Sequence, residues 1–174
     1  IEEGLNGRTT VWDDPIEGYK NGKDFMIPCL ETHRPIDLIT IMLGTNDLKK
    51  RFSLSAFDIA NGAGVLVDVV QKSASGPGGA VPQILLMAPP PTTTLTEFAE
   101  MFEGAGERSA KFSQHYRRIA DLAGCHLLDT REVIVSSERD GIHFETDQHH
   151  KLGVAVAAQL LAHLRRHARI GDEE

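Results

Sequence analysis

The stretch "IDLITIMLGTND", residues 36–47, decides the architecture. Its first eight residues are almost all apolar, do not alternate with polar ones, and stop at a glycine turn. A strand with one face in water alternates, so this one is predicted to be covered on both faces, as in a parallel sheet. It is also too short for a typical helix. "QILLMA" (83–88) has the same character and ends in three prolines. "CHLLDT" (125–130) is a third candidate strand, placed after Gly124, which suits a helix C-cap. Ile1 to Glu3 reads as the tail of another strand.

Helical periodicity falls between these runs. Residues 55–72 carry Phe57, Ile59, Ala63, Leu66, Val67 and Val70, with Ser55 as N-cap and Asp58 completing a variant capping box. Residues 107–123 place Phe112, Tyr116, Ile119 and Ala123 on one face. Residues 147–168 do the same with Leu152, Val156, Leu160 and Leu164. The order strand–helix–strand–helix–strand–helix predicts an α/β fold. Residues 8–35, 73–82 and 89–106 read as long surface loops. No internal repeat is visible, and 174 residues suit a single domain, 1–174.

Composition excludes several classes. Net charge is −7 and no basic block stands out, so no nucleic-acid partner is expected. The most basic run, "HLRRHAR" (163–169), suits solvation of a helix end and complements its dipole. Cys29 and Cys125 have no C-x-x-C spacing, so neither a disulfide framework nor a zinc site is expected, and both read as small buried apolar residues. His143, His149 and His150 lack a recognised ligand pattern, and neither metal nor cofactor is expected. No run spans a membrane and no signal peptide is visible, so a cytoplasmic location is expected.

In open parallel sheets, ligands bind beyond the carboxyl ends of the strands. The residues there are polar and turn-forming: "GLNGRTT" (4–10), "GTND" (44–47), "PPP" (89–91) and "DGIH" (140–143). Asp140 and His143 have the spacing by which a carboxylate fixes an imidazole tautomer for base catalysis. Asn46 can offer an amide N–H, and Gly7 lets an oxygen approach its backbone N–H. Each also has an ordinary structural use: a turn, an Asx cap, or a backbone cap by Asp47.

Together, these blocks resemble the SGNH, or GDSL-type, hydrolase family. "EEGLNGRTTVWDDP" (2–15) is similar to that family's second block, "IMLGTNDLKK" (41–50) to its third, and "DGIHFETDQHHKLG" (140–153) to its fifth. The nearest branch is that of bacterial arylesterases, which includes an acyltransferase. Close members of that branch often carry Ala where this chain has Gly7.

The resemblance implies a flavodoxin-like three-layer α/β/α fold with a parallel sheet. It implies a serine ester hydrolase working through an acyl-enzyme on small ester substrates, without cofactor. Asp140 and His143 would be catalytic, and Gly7 and Asn46 would form the oxyanion hole. A homo-oligomer is also implied, with the loops at 8–35 and 89–106 available for subunit contacts. The family's Gly-Asp-Ser block is absent from these 174 residues. Ser53, Ser55, Ser109, Ser113, Ser136 and Ser137 do not occupy a strand–turn–helix position, so no nucleophile is expected in this chain. The first strand and helix of the family fold are also expected to be lacking, which would leave an unpaired strand edge and poor solubility. The competing expectation is a shortened, non-catalytic relative that binds a ligand or partner chain.

Overall fold

The structure is a computed structural model. It describes residues 1–171, with side chains through residue 162. The elements in chain order are α1 (Gly22–His33), β1 (Leu38–Ile41), α2 (Ala56–Lys72), β2 (Gln83–Ala88), α3 (Ala105–Ser109), α4 (Phe112–Ala123), β3 (His126–Asp129) and α5 (Thr146–Gly171).

The three strands form one parallel sheet in the order β1–β2–β3. Ile41 lies opposite Leu86, and Leu86 opposite Leu127. All three strands therefore point their carboxyl ends to one edge. Successive side chains face opposite sides of a sheet, which splits the apolar residues between two layers. On one side Ile41, Ile84, Leu86 and Ala88 join Ile59, Ala63, Leu66 and Val67 of α2, Phe112 and Tyr116 of α4, and Met26 and Leu30 of α1. On the other, Leu85, Met87 and Leu128 meet half-buried Leu152, Ala155 and Val156 of α5. The central strand is buried from Ile84 to Ala88, in keeping with its unbroken apolar run. The result is the expected α/β/α layering.

Local signals set the helix ends. The Ser55 hydroxyl accepts from the Asp58 N–H at 3.1 Å and donates to the Asp58 carboxylate at 2.6 Å. Gly124 ends α4 in the left-handed conformation, φ +64°.

Four expectations need correction. The supposed loop 8–35 contains helix α1, whose buried face is Gly22, Met26 and Leu30 at four-residue spacing, with Asn21 capping its start. Pro28, which removes a backbone donor inside the helix, concealed that period. The helix expected over 107–123 is two, α3 and α4, separated at Ala110 and Lys111. Ile1 to Glu3 form no strand; the adjoining stretch instead makes an isolated bridge between Thr9 and Asn21. Cys29 and Cys125 are half-buried, not fully inside. Leu164 and the side chains of "HLRRHAR" lie outside the residues whose side chains are described.

Candidate active site

Asp140 and His143 sit in the loop between β3 and α5. Asp140 Oδ1 accepts the backbone N–H groups of Ile142 at 2.8 Å and His143 at 2.9 Å. Asp140 Oδ2 lies 2.8 Å from His143 Nδ1. Burial pushes the Asp140 carboxyl up, but the two N–H bonds and the facing imidazole outweigh it and hold the group below the ordinary carboxylate range. The carboxylate is thus ionised and aimed, and the His143 side chain remains 60% exposed, with a route to solvent.

The segment 89–104 holds this loop in place. The Thr93 N–H donates to the Gly141 carbonyl at 3.0 Å, the Thr93 hydroxyl to the Ser137 carbonyl at 2.9 Å, and the Thr96 hydroxyl to the Arg139 carbonyl at 2.6 Å. The Phe98 ring packs edge-on against the His143 ring, with centroids 5.9 Å apart. Phe98 also meets Phe102, which is buried in the core.

A second pair forms after β1. Asn46 Nδ2 donates to the Arg8 carbonyl at 3.2 Å, which ties the amide to the Arg8–Thr9 peptide, one residue beyond Gly7. Gly7 is buried with φ +81°, and an added Cβ there would lie 2.6 Å from Glu17 Oε2. Only glycine occupies that backbone conformation without strain.

Asp47 locks the pair together. Both of its carboxylate oxygens lie 3.1 Å from the Thr10 backbone N, and the Thr10 hydroxyl donates to Oδ1. Burial pushes Asp47 up to about 6 despite these bonds. Behind the turn, Asp14, with a fully buried side chain, contacts Lys49 at 3.3 Å and Arg51 at 3.0 Å. Lys49 also bonds Glu17.

The structure therefore brings Asn46, which follows β1, to Arg8, the residue after Gly7, and Asp140 to His143 in the loop that follows β3. Serine hydroxyls are used elsewhere. Ser53 donates to the Lys50 carbonyl, Ser55 caps α2, Ser109 faces Gly106 and Thr92, and Ser113 bonds Asp129. Ser136 donates to the Pro91 carbonyl and Ser137 to Glu145. A cavity of about 360 Å³ is lined by Val135, Ser136, Ser137, Glu145 and Gln148, without His143 among its walls.

The sequence points to Phe98, with Met101 and Phe102, as the lining of an acyl pocket or an interface, and not as the backing of His143. Thr10, Thr93 and Thr96 are not singled out by the sequence, because they act through partners distant in the chain. The only local hint was the density of threonines and prolines beside the strand ends.

The parallel sheet with helices on both faces, with the Asp140–His143 pair in the loop after its last strand, is an α/β protein. The model of the GDSL-like lipase/acylhydrolase family matches residues 1–151, and the chain belongs to that family. It is similar to the M. smegmatis aryl esterase, with 40% identity and a TM-score of 0.89, covering 93% of this chain and 77% of that one. It is similar to a carbohydrate acetylesterase from Sinorhizobium meliloti, with 38% identity, a TM-score of 0.89 and coverage of 93% and 77%. A lipase/acylhydrolase from Enterococcus faecalis shares the fold, with 13% identity, a TM-score of 0.59 and coverage of 88% and 71%. No curated protein sequence is similar enough to count as a match. Family and neighbours make this an esterase or acylhydrolase. Among the described residues, no helix is long and apolar enough to cross a membrane.

Proposed function

We propose that this chain supplies the base and the oxyanion hole of a serine ester hydrolase acting on short-chain carboxylic esters. The observation that carries this is the 2.8 Å contact between Asp140 Oδ2 and His143 Nδ1. It leaves Nε2 of the exposed imidazole to move protons. The likeness to an aryl esterase and a carbohydrate acetylesterase supports a small acyl group.

In this reading a serine hydroxyl attacks the ester carbonyl and His143 takes its proton. The resulting oxyanion accepts hydrogen bonds from the Asn46 amide and the Gly7 N–H. The Asn46 amide carries two donors, so the one bound to the Arg8 carbonyl leaves the other for the oxyanion. Collapse breaks the ester C–O bond, and His143 protonates the departing alcohol. His143 then deprotonates water, which attacks the acyl-enzyme, releases the carboxylic acid and restores the serine. An alcohol in place of that water gives acyl transfer. Asp140 holds the tautomer and stabilises the imidazolium throughout.

The reading assigns the nucleophile to a serine outside these 174 residues, since the six serines considered above are engaged elsewhere. That engagement also favours the second reading, a non-catalytic relative that binds a ligand or partner. Turnover of a short aryl ester separates them. The DNA upstream of the Ile1 codon shows whether an in-frame Gly-Asp-Ser is encoded. With such a segment joined to the chain, His143→Ala should abolish turnover, while Asn46→Ala should lower it by roughly 10²–10³-fold. Equal turnover in His143→Ala and the parent would remove the assignment.

A further inference from the structure

Helix α1 carries Cys29 and His33 four residues apart, and therefore on one face. Glu3, from the chain's first segment, reaches the same spot: Glu3 Oε1 is 2.6 Å from His33 Nε2. One donor atom from each of Glu3, Cys29 and His33 lies within 4.8 Å of the other two. We propose that these three side chains form a binding site for a zinc-like divalent transition-metal ion, separate from the Asp140–His143 pair.

The distances fit the chemistry. Tetrahedral zinc has Zn–S of about 2.3 Å and Zn–N or Zn–O of about 2.0–2.1 Å, which sets donor atoms roughly 3.3–3.6 Å apart. The Glu3–His33 contact must open slightly, and the others close by about 1.5 Å at most. Glu3 is exposed and free to make that adjustment. Two donors are held on a helix and the third arrives from a flanking segment, so binding clips residue 3 to the end of α1. The mixed thiolate, imidazole and carboxylate set suits zinc over magnesium or calcium, which take oxygen alone.

The site sits in the last turn of α1, where the helix dipole favours a cation. The Arg8 guanidinium, stacked 3.9 Å from the Phe25 ring centroid, acts electrostatically on both Cys29 and Glu3 and opposes a cation there. Affinity is therefore expected to be lower than that of a four-cysteine site. Binding releases the Cys29 proton as the thiolate forms its bond to the metal, and a water completes the fourth position. No oxidant or reductant is involved.

Titration of the purified protein with Co²⁺ as a spectroscopic probe, followed by competition with Zn²⁺, tests this. The parent should show a 1:1 thiolate-to-cobalt charge-transfer band that zinc abolishes, and a melting temperature raised by zinc and restored by EDTA. Even a partner outside the coordination sphere typically changes metal affinity about 10- to 100-fold. Cys29→Ser and Glu3→Gln should therefore each weaken binding at least about tenfold, and Cys125→Ser should leave it unchanged. Glu3→Gln alters an exposed side chain and keeps the test valid if Cys29→Ser folds poorly. The proposal is overturned by absence of the band in the parent, by parental affinity in Glu3→Gln or in a folded Cys29→Ser, or by loss of the band in Cys125→Ser.

Discussion

Asp47 binds Thr10 through main chain and side chain at once, joining the turn after β1 to the loop that carries Gly7. The clamp places a carboxylate in a buried setting. That has a measurable consequence.

Burial raises Asp47 to about 6 in the folded protein, above its ordinary value of 3.8. Between those two values the folded state holds a proton that the unfolded state has lost. Stability from this group is therefore present at low pH and declines as pH rises through about 6, by a total of about 3 kcal/mol. Asp47→Asn should lack this slope. Denaturant unfolding of parent and variant from pH 4 to 7.5 checks it, and a pH-independent difference between them would sink the idea.

Tyr116 is fully buried and donates its hydroxyl to the Leu43 carbonyl just before the Gly44 turn. Tyr116→Phe strands that carbonyl. The expected loss is about 1–2 kcal/mol, read from the midpoint of denaturation.

Lys49 is buried between Asp14 and Glu17. Lys49→Met removes the cation from Asp14, whose carboxylate is fully buried, and from the more exposed Glu17. Breaking a buried pair costs about 3–5 kcal/mol. Arg51 still faces Asp14 at 3.0 Å, so the lower end is expected. Restoration of parental stability by a second change, Asp14→Leu, would show that the loss came from the uncompensated charge.

Gly7→Ala should cost about 1–2 kcal/mol, since φ +81° is the left-handed region where a Cβ is strained. Glu17 can swing aside, so the steric part is small. A variant as stable as the parent would mean that the loop relaxes to another conformation.

If His143 is the base, Asp140→Asn tests how it is held. Asparagine keeps an oxygen for the Ile142 and His143 N–H groups but presents an NH₂ where Nδ1–H must find an acceptor. The imidazole would take the wrong tautomer, and turnover by protein carrying the nucleophile should fall about 10⁴-fold with little change in stability. Kinetics beside a melting curve separate the two effects.

Much of this architecture is visible in short local patterns. The apolar run at 83–88 marks a strand buried from Ile84 to Ala88, and β2 matches it residue for residue, whereas β1 takes only Leu38–Ile41 of the run at 36–43 and leaves Thr40 exposed instead of being covered on both faces. Ser55 and Asp58 mark a helix start because a cap is a contact between near neighbours. Helix α1 was hidden because Pro28 interrupts a period that Met26 and Leu30 otherwise carry. The gap between α3 and α4 has no side-chain cap to announce it.

The amino-acid order alone determined the α/β class, the positions of β1, β2 and β3, and the Asp140–His143 spacing, because each rests on residues within a few positions of one another. Tertiary structure alone decided that Asn46 meets the Arg8 carbonyl, that Asp47 grips Thr10, that Phe98 backs His143, and that Glu3 reaches Cys29 and His33. Those partners lie many residues apart. They come together only when burial of the apolar faces of the sheet and helices sets the distances between the loops.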